Sequence, residues 1–133
     1  MRSLLERLLA AVAEECPAAW RAMSAHRLSI SVAVEGERFG LEVGEAGPAL
    51  SPPPVCGPRL ECDRTTLRRL VTGEQPVLAA LRGDELRLFG APGDLVRLDE
   101  LVRLLVAGAA RSPRAALLFD EFLAETGEQS HEV

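Results

Sequence analysis

Residues 28–43 alternate between apolar and small or polar side chains. Leu28, Ile30, Val32 and Val34 are separated by Ser29, Ser31 and Ala33; beyond Gly36, Phe39, Leu41 and Val43 stand among Arg38, Gly40 and Glu42. A period of two places all the apolar side chains on one side of a pleated strand. The stretch therefore predicts a β-hairpin that turns at Gly36 and has one apolar face. A hairpin alone is marginal in water and needs more strands and a covering layer. The rest of the chain has to supply both.

Two more strands are legible. Arg59–Cys62 alternates with Leu60 and Cys62 on one face, and Glu85–Phe89 sets Leu86 and Leu88 against Glu85, Arg87 and Phe89. Between hairpin and third strand, residues 44–58 carry Gly47, Pro48 and the triple Pro52, Pro53, Pro54. That segment reads as a loop with a short edge strand at Ala49–Ser51, because proline cannot donate to a central ladder.

The cover reads as helical. Ser3 and Glu6 form a capping-box pair for a helix from Leu4 to about Glu15, on which Leu5, Leu8, Leu9, Val12 and Cys16 recur at helical spacing. Pro17 breaks it and starts a second turn through Trp20 to Met23. Trp20 reads as a packing anchor or as a binding residue. Asp63 fits an N-cap for a helix with Leu67, Leu70 and Val71 on one stripe and Gly73 at its end. Arg64, Arg68 and Arg69 lie off that stripe, either as a solvated face or as a contact for an anionic headgroup.

Pro76 opens a further short helix, with Val77, Ala80 and Leu81 apolar and Gly83 ending it. Gly93 and Asp94 cap a long helix in which Leu95, Leu98, Leu101, Val102 and Leu105 follow three-four spacing. Leu104 and Val106 make it apolar on a second side, so it must be buried on two sides. One is the sheet; the other is a ligand, a neighbouring helix or a second subunit. Ser112 and Pro113 open a last helix carrying Ala115, Leu118, Phe119 and Phe122, which Gly127 ends; 128–133 reads as a polar tail. Such elements can enclose apolar space beside a sheet, as a packed core or as a ligand tunnel.

Composition narrows the chemistry. All 15 positive charges are arginines and the net charge is −5. Without lysine there is no Schiff base and no P-loop lysine. An acidic balance argues against a nucleic-acid partner. Tyrosine and asparagine are absent, and Asp63, Asp84, Asp94 and Asp99 sit where caps or exposed helical positions explain them. Cys16, Cys56 and Cys62 form no C-x-x-C pair and read as small buried or half-buried thiols in a reducing compartment, with a Cys56–Cys62 bridge or a redox role as the minor alternatives. His26 and His131 are too scattered for a shared metal site. No apolar run approaches the roughly 18 residues that span a bilayer. The acidic residues of the N-terminal stretch make a poor secretory signal, so the expected location is cytoplasmic.

The order and spacing of the second half are similar to those of the sterol carrier protein family of lipid-transfer domains. The matching pattern is a strand ending at Asp63, then Leu67 and Leu70, Thr72-Gly73-Glu74, Ala79-Ala80 and Arg82-Gly83. It continues through Glu85-Leu86-Arg87-Leu88-Phe89 and Gly90 to Asp94 and the apolar helix, with the hairpin at the place of the first two strands. The likeness covers about Arg27 to Leu105. Ala91-Pro92-Gly93 interrupts the usual Gly-Asp, the proline-rich loop replaces a regular strand entrance, and the helix from Pro113 lies beyond the shared core.

The resemblance implies a single α+β domain over 1–127, with its core at about 27–105 and an extra helix at about 113–125. It implies a curved, mostly antiparallel sheet of about five strands, covered on one face by helices and enclosing an apolar tunnel. It also implies a non-catalytic carrier for a fatty acyl, acyl-CoA, sterol or isoprenoid ligand, with no cofactor; related bacterial domains serve as accessory partners of enzymes. Candidate lining residues are Ile30, Val32, Phe39 and Leu41 of the hairpin, Leu86 and Leu88 of the fourth strand, and Leu98, Leu101, Val102 and Leu105 of the long helix. Phe119 and Phe122 either lid or plug the tunnel, or pair two subunits. The alternative is an interaction module whose tunnel is filled and which dimerises or docks on a partner enzyme.

Overall fold

The computed structural model describes residues 2–118, 120 and 121. The chain opens with helices α1 (Arg2–Glu15) and α2 (Pro17–Ser24), then strands β1 (Leu28–Val34), β2 (Glu37–Gly44), β3 (Gly47–Ser51) and β4 (Arg59–Cys62). Helices α3 (Arg64–Val71) and α4 (Val77–Arg82), strand β5 (Leu86–Phe89) and helix α5 (Pro92–Ala110) follow. Helical backbone resumes over 113–118.

The strands form one sheet in the order β3-β2-β1-β4-β5. Three neighbouring pairs are antiparallel and β1 pairs with β4 in parallel, so the sheet is mixed. Glu35 and Gly36 make the β1–β2 turn with φ of 50° and 89°. Two successive left-handed residues suit the twist of a hairpin. Glycine adopts that conformation freely, whereas at Glu35 it costs about 1–2 kcal/mol.

Ser51, Gly40, Ser31 and Arg59 lie in one row across β3, β2, β1 and β4. The end of β3 is thus level with the start of β4, and residues 52–58 need only cross three strand spacings, about 14 Å. Gly40 permits the crossing, because a Cβ there would overlap the Pro52 carbonyl and the Ser51 hydroxyl. The loop lands where the Ser31 amide donates to the Pro58 carbonyl at 3.0 Å.

Leu28, Ile30, Val32, Val34, Phe39, Val43, Cys62 and Leu86 are buried on the inner face. Ser29, Arg38, Glu42 and Arg87 are exposed on the other. α1 and α2 lie against β3, α4 against β5, and α5 against β1 and β5. Helices therefore cover one face, as the alternation requires.

Several expected ends hold. Asp63 Oδ1 accepts from the Thr66 amide at 2.6 Å, Pro17 begins α2, and Ser112 Oγ accepts from the Ala115 amide at 3.2 Å. Ser112 also donates to Glu15 Oε1 at 2.6 Å, which ties the last helix to the end of α1. Others move. α1 takes in Ser3, so the expected capping box is not its start. α5 begins at Pro92 with Ala91 at the N-cap, so Gly93 and Asp94 fall inside its first turn. Proline, with its preset φ and no N–H to satisfy, suits a first helical position. β3 starts at Gly47 rather than Ala49, and Pro48 is tolerated because the strand is an edge.

Gly40→Val is expected to lower stability by about 1–3 kcal/mol, the usual cost of forcing bulk into filled space. Gly44→Val, where a Cβ meets nothing within 4 Å, should change it by less than about 0.5 kcal/mol. Urea unfolding of the two variants makes the comparison.

Candidate functional site

The inner sheet face and its helices do not close completely. A cavity of about 80 Å³ lies between the strands and α1, α3 and α5. Ile30, Val32, Phe39 and Leu41 of the hairpin line it, with Leu86 of β5 and Leu98, Leu101, Val102 and Leu105 of α5. These residues were singled out by periodicity, and the fold brings them together around one space. Leu88 is not part of the lining; it is half-buried and packs against the core. Phe119 and Phe122 lie outside the described residues.

Other lining residues were missed by the sequence reading. Val34, Leu60 and Cys62 share the inner face, and Leu67, Leu70 and Val71 form the stripe of α3. Their periodicity was visible and would have admitted them. Leu5 and Leu9 of α1 and Leu50 of β3 also line the cavity. Helical spacing marks Leu5 and Leu9 as apolar but not which space they enter, and nothing local marks Leu50; packing over many residues brings all three in.

The lining is apolar throughout, with the Cys62 thiol its one polar group among the described residues. Burial, with the Asp63 and Glu35 carboxylates nearby, pushes that thiol from 9.0 up to about 12. A thiol so placed is neutral and a poor nucleophile. At about 24 cal/mol per Å³, an empty cavity of 80 Å³ costs the fold about 2 kcal/mol. That cost is borne in the centre of the domain.

Around this space the charged groups are engaged with one another. Arg64 Nη2 meets Glu37 Oε1 at 3.1 Å and its Nε lies 3.5 Å from Glu35 Oε2, while the Arg64 amide donates to Glu35 Oε1 at 3.1 Å. Arg68 pairs with Glu74 at 3.3 Å and Arg69 with Glu85 at 3.5 Å. The arginine face of α3 is therefore a set of ties, neither bare nor turned to solvent alone.

The remaining candidates have structural work. Asp99 holds Arg103 through two contacts of 3.0 and 3.1 Å, and Asp84 takes the left-handed φ of 59° that follows α4. Trp20 Nε1 donates to the Ala46 carbonyl at 3.0 Å, and its ring lies against Gly47, where a Cβ would collide with it. The anchor reading of Trp20 is the one the structure supports. His26 lies 3.3 Å from Glu100. All three cysteines are free, so the Cys56–Cys62 bridge is not formed; Cys62 is buried and Cys16 half-buried as expected, but Cys56, in the proline-rich crossing, is exposed. Among the described residues, no group of three or more His, Cys, Asp or Glu side chains could hold a metal ion. His131 lies outside them.

No protein-family model matches the sequence, and no curated protein matches it. Solved structures do. The chain aligns with a crystal structure of sterol carrier protein 2 over 84% of its own length and 97% of that chain, at 16% identity and a TM-score of 0.60. This is the sterol carrier protein fold. A ubiquinone synthesis protein described as UbiJ-SCP2 shares it over 82% of this chain and 84% of that one, at 20% identity and a TM-score of 0.53. The stereoselective inverting sec-alkylsulfatase Pisa1 from a Pseudomonas species carries it as part of a longer chain. There the match spans 63% of this chain but 14% of that one, at 14% identity and a TM-score of 0.51. In the present version of the sterol carrier fold, the interrupted Gly90–Asp94 segment is absorbed by the early start of α5 at Pro92.

Cys62 gives the fold a measurable alkaline signature. Its pKa is raised on folding, so its contribution is complete below 9.0 and is lost as pH rises toward about 12. Above 9.0 the unfolded chain sheds a proton that the folded chain keeps, and stability falls by up to about 1.4 kcal/mol per pH unit. With no lysine or tyrosine in the chain, few other groups titrate there. Urea unfolding at pH 8.5 to 10.5 should show this decline in the native protein and a flatter profile in Cys62→Ala.

Proposed function

We propose that this domain is a non-catalytic carrier that binds the hydrocarbon part of a lipid-like molecule in its central cavity. The observation that carries the reading is a cavity whose walls are apolar but for the Cys62 thiol, kept in the middle of the core at a cost in stability. Fatty acyl, acyl-CoA, sterol and isoprenoid ligands share the required chemistry, an apolar body and a polar end left at the surface. The sterol carrier fold supports the reading, and so do the structural roles of Asp63 as a helix cap and of Asp99 as the partner of Arg103. No described helix is long and apolar enough to cross a membrane. Free thiols at all three cysteines fit a reducing compartment such as the cytoplasm.

Magnitudes set what the ligand must do. Ligand pockets commonly measure about 300–1,000 Å³, against about 80 Å³ here. The walls must therefore part as a ligand enters. Micromolar affinity corresponds to about 8 kcal/mol, or about ten CH₂ groups at about 0.8 kcal/mol each.

A fluorescent acyl probe should bind with a Kd in the micromolar range, and native mass spectrometry should reveal co-purified lipid. Val102→Phe fills the cavity, so it should weaken probe binding at least about tenfold while stability moves by less than about 1 kcal/mol. In a closely packed core the same change would cost about 1–3 kcal/mol. Absence of both bound lipid and probe response would end the carrier reading.

A second reading is an interaction module that dimerises or docks on an enzyme. It is favoured by the small volume of the cavity and by the occurrence of the fold within an alkylsulfatase chain. Deleting residues 112–133 should then dissociate a dimer in sedimentation. A carrier should stay monomeric and keep its ligand after the same deletion.

A further inference from the structure

We infer that α3 is the movable wall of the cavity, and that the Arg64 ion pairs with Glu35 and Glu37 latch it shut against the β1–β2 turn. The inference rests on the carrier reading for its purpose, but its geometry stands by itself. A cavity of about 80 Å³ must widen to take a lipid tail, so one of its walls has to give. Of the three helices that line it, α1 lies directly against β3 and α5 against β1 and β5. α3 packs on α5, buries Leu70 and Val71 on its inner side, and is tied to the hairpin by the Arg64 side chain.

Those side chains stand at one end of the cavity. Val34 and Phe39 flank the β1–β2 turn, and Cys62 and Leu67 flank the start of α3; all four line the space. Arg64 closes the gap between the two groups, with its guanidinium on both turn glutamates and its amide on Glu35. Glu35 holds this position from a left-handed backbone, φ 50°, which a glutamate tolerates only where its surroundings hold it. The other arginine ties do not oppose opening in the same way. Glu74, the partner of Arg68, belongs to the turn that ends α3, and Arg69 reaches Glu85 beyond α4. α3 would thus roll about its two ends, Asp63 and the left-handed Gly73 at φ 80°. Leu67 and Leu70 would move away from Val34 and Phe39.

Cys62 is a built-in reporter of this motion, since it is 7% exposed and lines the cavity behind α3. In a Cys16→Ser/Cys56→Ser background, labelling of Cys62 by methyl methanethiosulfonate at pH 8 requires the wall to open. Arg64→Gln should speed the labelling about threefold to tenfold, the range expected from losing two half-exposed ion pairs. Glu37→Gln should give a smaller acceleration. Sodium chloride at about 1 M, where the screening length is about 3 Å, should speed labelling in the native sequence and have little effect in Arg64→Gln.

Amide exchange in β1, β2 and α5 should stay unchanged while that of α3 rises. The same variants should take up an acyl probe faster. Equal labelling rates in all variants would overturn the latch, and so would acceleration matched by faster exchange throughout the sheet. Faster labelling with no probe binding by any variant would confirm the moving wall and end the carrier reading instead.

Discussion

Five strands present apolar side chains to the same side, and the burial of that side organises the molecule. The register keeps Leu50, Leu41 and Ile30 in one line and Val34, Cys62 and Leu86 in another, so the apolar surface is continuous across strands distant in sequence. A continuous apolar surface has to be covered from one side only, and the helices gather there. The outer face is left to Ser29, Arg38, Glu42 and Arg87, and to a proline-rich crossing that Gly40 makes room for.

The cover is incomplete. α1 packs against β3 and α5 against β1 and β5, whereas α3 packs on α5, buries Leu70 and Val71 in the core, and is tied to the hairpin by Arg64. Leu67, Leu70 and Val71 of α3 form one wall of the space left between sheet and helices. The stabilising ties and the functional opening therefore belong to the same set of residues. The ties are also mostly half-exposed, so each contributes little alone and the wall is held lightly.

Much of this was legible beforehand. The hairpin, the Asp63 cap, the break at Pro17 and the Ser112 cap all follow from local chemistry, and the structure shows each of them. Local chemistry also misled where two local rules competed. Gly93 and Asp94 look like a cap, but Pro92 is the better first residue, and α5 starts there. Periodicity brought nine of the predicted lining residues to one cavity, because a residue on the inner face of a strand has nowhere else to point. It admitted Leu88 on the same ground. Leu88 instead packs half-buried against the core, outside the cavity lining.

The sequence by itself determined which face of each element is apolar and where most elements end, since these depend on neighbours a few residues away. It left open what the apolar faces would meet. That Leu5, Leu50 and Leu67 share one space, that β4 runs parallel beside β1, and that Arg64 reaches Glu35 and Glu37 are decided by pairings between residues far apart in the chain. Periodicity carries no information about such separations. Whether the interior is filled or hollow is a still finer matter, a difference of about 80 Å³. Only the tertiary structure, in which side chains from eight elements compete for the same volume, decides it.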